Sequence, residues 1–341
     1  MNSDTNSPSS IYVIAELSAN HAQNLDIALQ TVRAAADSGA NAIKVQTFHA
    51  GSLTLPAEFP GFGPREYGAW KGYTSWELYS KASMPYEWHK PLQQEAKRLN
   101  IDFFSTAFDL EGVDFLEELN VPKYKISSFE ITDIPLIKKV AKTGKPIIIS
   151  TGLSDLTDIE LCVKTICETS NSEICLMKCT SEYPAPIEKM NLLGIPFLKD
   201  KFNTEVGLSD HSKSLIIPAI AVGLGATVIE RHIILNTEID SVDKQFSTTP
   251  EDFKIMVEHI RDAEKSLGNS FFSVNSGDVK RRKHIFAVRN IAAGEKFSSQ
   301  NIKTLRAEGK LEPKYYETLI DSIAMSDIPK GTPIDIFHFN Q

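Results

Sequence analysis

Gly207-Leu208-Ser209-Asp210-His211 and Ile229-Glu230-Arg231-His232 each close a short apolar run with a histidine. Between them, Leu215 to Gly225 is an apolar segment long enough for about three turns of helix. A strand, a crossover helix and a second strand lay the two strands side by side and parallel. Side chains alternate along a strand, so Ser209 and His211 share one face of the first, Glu230 and His232 one face of the second. A single histidine at a strand end is commonly a satisfied hydrogen-bonding group. Two at matching ends of adjacent strands, with carboxylates beside them, make a candidate divalent-metal site, His211 and His232 being its ligands.

The same rhythm runs outward from this pair. Upstream, short apolar runs at Ile11–Glu16, Asn41–Thr47, Asp102–Ala107, Tyr124–Ser127, Pro146–Thr151 and Glu173–Cys179 read as strands. Helical patterns follow them at Asn24–Ser38, Tyr86–Leu99, Glu111–Leu119, Ile134–Lys142, Leu156–Glu168 and Leu192–Phe202, and Pro250–Leu267 closes the series. Eight strand–helix units in about 255 residues predict a closed (β/α)8 TIM barrel. A doubly wound open sheet is the runner-up, but no Gly-x-Gly-x-x-Gly turn follows the first strand. The stretch from His49 to Ser83, rich in Gly, Pro, Tyr and Trp, is too long for a routine connection and reads as a lid or substrate loop.

Composition bounds the rest. A chain of 341 residues suits one large domain and one small one. The expected boundaries are a frayed polar tail at 1–10, the barrel at 11–268, a linker at 269–282 and a small β-rich module at 283–341. A net charge of -8 argues against a nucleic-acid partner, and the one basic run, Lys280 to Lys283, reads as solvated linker. The longest apolar stretch, Leu215 to Ile229, is too short to span a bilayer, so no membrane partner is expected. Residues 1–10 lack the pattern of a secretory signal, which predicts a cytoplasmic protein. Cys162, Cys167, Cys175 and Cys179 do not have zinc-site spacing and read as buried structural thiols.

A barrel carries its chemistry at the carboxyl ends of its strands. There stand Glu16, Lys44 with Gln46, Ser105 with Thr106, Lys125 with Ser128 and Glu130, Ser150, then Ser181 with Tyr183, and finally Ser209, His211, Glu230 and His232. Two lysines among hydroxyls suit a phosphate or carboxylate. A histidine-bound metal polarises a carbonyl, and Glu16 and Glu130 can move protons. The set describes a phosphorylated small molecule reacting with a carbonyl compound.

At these motifs the chain resembles the sialic acid synthase family, whose members condense phosphoenolpyruvate with an amino sugar to give a nine-carbon 2-keto acid. The resemblance rests on Ala15-Glu16-Leu17-Ser18-Ala19-Asn20-His21, Lys44-Val45-Gln46-Thr47, Phe104-Ser105-Thr106, Cys179-Thr180-Ser181-Glu182-Tyr183-Pro184, Gly207 to His211 and Glu230-Arg231-His232. It covers nearly all of Ile11 to Ile336, and the C-terminal module resembles the family's antifreeze-like (SAF) β-clip domain. Glu16 to His21 and Ser128 to Ile137 look most like the pseudaminic acid branch. That branch implies 2,4-diacetamido-2,4,6-trideoxy-altropyranose as substrate; synthesis of N-acetylneuraminate, legionaminate or another nonulosonic acid is the alternative.

By the resemblance, Lys44, Thr106, Lys125, Ser128, Ser150, Ser181 and Ser209 hold phosphoenolpyruvate. Glu16, Gln46, Tyr183, Asp243 and Arg306 face the sugar, with Arg306 delivered across a domain-swapped homodimer. Glu16, Glu130 and Lys125 are the catalytic candidates, and His211 and His232 bind Mn2+, or Mg2+ or Co2+ in its place. Three departures from the family pattern stand out: Ala107 after Ser-Thr, Ser241-Val242 before Asp243, and Ala307-Glu308 after Arg306. A synthase acting on a sugar phosphate would need further basic residues, and a silent sugar-binding barrel would have lost Glu16, Lys44 or the histidines.

Overall fold

The computed structural model describes residues 11–268 and 276–339. Eight parallel strands close into a barrel in sequence order. They are β1 (Tyr12–Glu16), β2 (Ala42–Thr47), β3 (Asp102–Ala107), β4 (Tyr124–Ile126), β5 (Ile147–Ser150), β6 (Ile174–Cys179), β7 (Glu205–Asp210) and β8 (Val228–His232). Nearly every strand residue is buried, because a parallel barrel is covered by helices outside and filled by side chains inside.

The helices are α1 (Leu25–Asp37), α2 (Ala50–Leu53), α3 (Ser75–Ala82), α4 (His89–Arg98), α5 (Leu110–Glu118), α6 (Ile134–Lys142), α7 (Leu156–Cys167), α8 (Gly194–Phe202), α9 (Ile217–Gly223) and α10 (Pro250–Leu267). Their starts are set by side chains that satisfy free backbone N–H groups. Asn24 accepts from the amides of Asp26 and Ile27, Asp155 and Asp158 form a reciprocal pair, and Thr249 caps α10 ahead of Pro250.

Register decides what faces inward. Glu16 lies opposite both Lys44 and His232, Gln46 opposite Thr106, and Thr106 opposite Lys125. On the far side Cys179 lies opposite Ser209, and Ser209 opposite Glu230. The alternate residues point out into the helix layer. There Arg231 bonds Asp210 (2.5 Å), Thr248 Oγ1 (2.6 Å) and the carbonyls of Ser212 and Ser214. The middle residue of the Glu-Arg-His motif is therefore a buried structural cross-link.

Four expectations need correction. The 49–83 stretch is not all loop: it holds α2 and α3, the latter started by a Thr74–Glu77 capping box. Cys167 is exposed, since the last turn of α7 leaves it on the solvent side, while Cys162, Cys175 and Cys179 are buried free thiols. Strand β7 ends at Asp210, so His211 sits one residue past it. The segment 269–282 is not wholly linker, since α11 (Ser276–Val279) forms within it; residues 269–275, like the tail at 1–10, lie outside the described residues.

The chain divides after Gly268. In the second unit β9 (Lys283–Ala287) and β10 (Ile302–Arg306) pair antiparallel, and a short helix α12 (Tyr316–Leu319) follows. Ile285, Phe297, Ile302, Leu319 and Ile334 lie at the centre of a core of its own. Gly309 lets the chain after Arg306 close on β9: a Cβ there would stand 2.4 Å from His284 Cβ. His284 Nδ1 also bonds the Ala307 carbonyl at 2.9 Å.

Candidate active site

The inward residues of the strand ends meet in a four-charge floor. Lys44 Nζ lies 2.8 Å from Glu16 Oε2 and 3.7 Å from Glu230 Oε1, and it donates to Thr106 Oγ1 at 3.0 Å. Lys125 Nζ is 2.9 Å from both Glu230 oxygens. Ser209 Oγ adds a 3.3 Å bond to Glu230, and Gln46 Nε2 a 3.0 Å bond to Glu16. All four charged side chains are buried, which is tolerable only because each is paired.

Burial and pairing pull their protonation apart. Burial works against the Glu230 carboxylate, but Lys125 and Lys44 outweigh it and hold its pKa down at about 2. At Glu16 burial prevails over Lys44, and the pKa is raised. Burial likewise opposes the charge on Lys44, but Glu16 and Glu230 prevail and raise its pKa. Lys125 falls below the usual lysine value, because burial, together with Lys44 nearby, exceeds what Glu230 returns. The floor thus has one firm carboxylate, one firm ammonium, and two groups, Glu16 and Lys125, that change charge more easily.

Around this floor stand hydroxyls and a backbone amide. Gly152 N donates to Ser128 Oγ at 2.9 Å, and Ser150 Oγ is buried without a hydrogen-bond partner. A Cβ on Gly152 would stand 2.3 Å from Ser181 Oγ and 2.9 Å from Ser128 Oγ, so only glycine leaves this hollow open. Buried hydroxyls normally find partners, so an unsatisfied one aimed at a polar hollow marks a place for a ligand's oxygens.

The histidine rings lie with centroids 5.3 Å apart. His232 Nδ1 is buried with no hydrogen-bond partner, 3.9 Å from Asp243 Oδ2. Burial, with His211 and Lys44 adding to it, pushes the His232 pKa well down, so the ring is a neutral donor. His211 Nδ1 approaches the Thr180 carbonyl at 3.3 Å, and in the tautomer donating there Nε2 keeps its lone pair. Among the described residues no three His, Cys, Asp or Glu side chains converge on one point. At His211 burial is outweighed by Cys179 and the Thr180 carbonyl, which raise its pKa, so a metal would take the place of a proton there. The two imidazole nitrogens fit a borderline divalent ion.

Above the floor a second cavity of about 310 Å³ opens, sharing Gln46, Tyr183 and His232 with the first. Glu130 and Asp243 line it. Burial raises the Glu130 pKa to about 7, partly countered by a short hydrogen bond from Ser127. Asp243 accepts from Ser18 Oγ at 2.6 Å, and its amide donates to Ser241 Oγ at 3.1 Å, so the Ser-Val departure still fixes the aspartate. The remaining wall includes Arg65 and Trp70 from the 49–83 segment, with Phe246 after β8. A larger hollow of about 550 Å³ lies at the amino ends of the strands, lined by none of these groups.

The barrel residues given roles from sequence are thus at one mouth, with Ser181 joined through its approach to Gly152 and to Cys179 (3.9 Å). Ser105, next to Thr106, instead turns away from it and bonds Thr47 Oγ1 at 2.6 Å and the Val45 carbonyl at 3.0 Å. Arg306 is not in the barrel: it ends β10 in the second unit, exposed and without a side-chain hydrogen bond or ion pair among the described residues. Sequence reasoning placed Glu230 at this mouth but gave it no role; the structure makes it the partner of Lys125 and Lys44. Sequence reasoning passed over Cys179, whose Sγ is 3.8 Å from His211 Nδ1 and whose pKa is lowered to about 7, because His211 outweighs burial. Arg65 and Trp70 sit in an irregular segment and left no periodic signal.

A barrel of this size with a charged floor, a histidine pair and a separate β-rich module belongs to a defined class. The chain is a member of the NeuB family, whose pattern matches residues 31–271, and residues 282–336 match the SAF domain. It is 41% identical to the pseudaminic acid synthase of Campylobacter jejuni serotype O:2, over 96% of both chains. It is 37% identical to that of Helicobacter pylori, over 94% of this chain and 96% of the other. Among solved structures, the N-acetylneuraminic acid synthetase of Leptospira borgpetersenii, in complex with citrate, matches with a TM-score of 0.71 and 29% identity. That match covers 79% of this chain and 89% of the other.

Proposed function

We propose that this chain is a pseudaminic acid synthase: it joins phosphoenolpyruvate, water and 2,4-diacetamido-2,4,6-trideoxy-altropyranose into a nine-carbon 2-keto acid and releases phosphate. The observation that carries the reaction type is the floor, where Lys44 and Lys125 lie beside the histidine pair with Ser150 Oγ and His232 Nδ1 lacking partners. The choice of sugar is supported by the near full-length similarity to pseudaminic acid synthases.

In this reading Lys44 and Lys125, with Thr106, Ser128, Ser150, Ser181 and Ser209, bind the anionic groups of phosphoenolpyruvate. They hold its C3 carbon toward the outer cavity, where Gln46, Tyr183 and Asp243 orient the open-chain sugar. The C3 carbon bonds to the sugar's aldehyde carbon, and the aldehyde oxygen takes a proton. Glu16, whose pKa burial raises, is placed to give it. Water then adds at C2 and loses a proton, for which Glu130, half-ionised near neutrality, is the acceptor. Collapse to the ketone breaks the C–O bond to phosphate. A divalent ion held by His211 and His232, Mn2+ first among candidates, would supply polarisation of the aldehyde.

The reading includes a domain-swapped homodimer in which Arg306 reaches the sugar site of a second copy. Its support is that Arg306 is exposed and unpaired within its own unit. The reading places this work in the cytoplasm, where phosphoenolpyruvate is made; among the described residues no helix is long and apolar enough to cross a membrane. The test is phosphate release from phosphoenolpyruvate with Mn2+, comparing the diacetamido-trideoxy-altrose, N-acetylmannosamine and the gluco-configured legionaminate precursor. Release with the first is expected; release only with another sugar reassigns the branch, and none with any of them overturns the synthase reading.

A further inference from the structure

The outer cavity holds one feature that the condensation leaves unused. Residues 64–74 fold back on themselves: Pro64 bridges Thr74, Arg65 N bonds the Tyr73 carbonyl, and Gly72 N bonds the Arg65 carbonyl, both at 2.9 Å. Trp70 Nε1 donates to the Val242 carbonyl at 2.9 Å and so ties this segment to the residue before Asp243. The Trp70 ring then lies 5.2 Å from Tyr183 and 6.1 Å from Phe246. Behind it, the Arg65 guanidinium carbon lies 5.7 Å from the Trp70 ring and 5.8 Å from the Tyr79 ring. Arg65 Nη2 donates to Tyr79 Oη at 3.0 Å, with Ser75 Oγ at 3.4 Å. Its Nε is buried and has no partner.

A guanidinium held near two rings, with its Nε–H unspent and only Nη2 engaged, has two ligands that suit it: an anion or a neutral carbonyl. A phosphate dianion is disfavoured here. Among the described residues Arg65 is the only lysine or arginine lining this cavity, and the carboxyls of Glu130 and Asp243 share it. An acetamido group meets both halves of the wall, its carbonyl accepting from Arg65 and its methyl lying on the Trp70 face.

We infer that Arg65 and Trp70 form an acetamido subsite that selects a diacetamido sugar over one bearing a hydroxyl at the second position. This rests on the synthase reading above. The consequence is a specificity effect: a carbonyl acceptor that is missing leaves the buried Arg65 N–H unpaired, which costs the hydroxyl analogue.

The test measures kcat/KM for the diacetamido sugar and for its monoacetamido, hydroxyl-bearing analogue, in the native protein, Arg65→Gln and Arg65→Lys. The native preference for the diacetamido sugar should fall about 30-fold in Arg65→Gln. Arg65→Lys should recover only part of it, since an ammonium does not reproduce the planar fork. Thermal melting and phosphoenolpyruvate binding of each variant establish that it is folded. Native turnover with equal losses for both sugars in Arg65→Gln overturns the subsite alone. Native preference for a 6-phosphorylated N-acetylhexosamine, lost in the variants, overturns it in favour of a phosphate. No native turnover with any sugar overturns the synthase reading and the subsite with it.

Discussion

Lys125 Nζ sits 2.9 Å from both carboxylate oxygens of Glu230, with both side chains buried at the barrel floor. Breaking one half of such a pair leaves an uncompensated charge away from water. Glu230→Gln is therefore expected to cost about 3–5 kcal/mol of stability, read as a lowered urea midpoint. An unchanged midpoint would show that the floor is wetter than the geometry implies.

Glu130 sets a pH dependence of definite sign. Its pKa stands at about 7 in the folded chain against an ordinary 4.5. A carboxyl whose folded pKa is raised favours folding fully below about 4.5, and that contribution is lost as pH rises through about 7. Urea unfolding between pH 4 and 8 should show a decline of about 3 kcal/mol from this group, absent in Glu130→Gln. The same variant should lose the limb near neutrality from the pH profile of kcat/KM. Retention of that limb would assign it to another group, with Glu16 the first to examine.

Gly152 offers a steric test of the anion hollow. Its added methyl would fall 2.3 Å from Ser181 Oγ and 2.9 Å from Ser128 Oγ. Gly152→Ala should raise KM for phosphoenolpyruvate by at least about tenfold, equivalent to one lost hydrogen bond or more. KM for the sugar should move far less. Equal shifts for both substrates would place phosphoenolpyruvate elsewhere.

The histidine pair is tested by metal binding rather than by rate alone. His232→Ala and His211→Ala should each weaken Mn2+ binding by at least about 100-fold in calorimetry, with circular dichroism unchanged. Chelation of the native protein should abolish turnover, and Mn2+ should restore it. Native affinity for Mn2+ in both variants would remove these residues as ligands.

The module after Gly268 carries the remaining expectation. Arg306→Ala should lower kcat/KM for the sugar while sedimentation velocity still shows a dimer. Mixing it with a variant inactive through its barrel (Lys125→Met) should restore activity, because each chain contributes what the other lacks. A failure of mixed chains to recover any activity would confine each site to one chain.

Much of this was legible in the residues themselves. Strands such as Ile147–Ser150 are apolar on both faces because parallel barrel strands are covered on both sides. That leaves the polar residues at their ends, Glu16, Lys44, Thr106, Lys125 and Glu230, conspicuous. The helix starts at Asn24, Asp155 and Thr249 are local, since a cap needs only its own next turn.

What the sequence by itself determined, then, is the barrel and the chemical types gathered at its mouth, because strand period and caps act over a few residues. Tertiary structure alone decided which lysine faces which glutamate, since Lys125 and Glu230 are 105 positions apart and meet only when the barrel closes. It decided that Gly152 must be bare because Ser181 and Ser128 converge on it. It also brought Arg65 and Trp70 over the cavity through a hydrogen bond to Val242, 172 residues away. Charge pairing and close approach are matters of distance in space, and no periodicity along the chain encodes them.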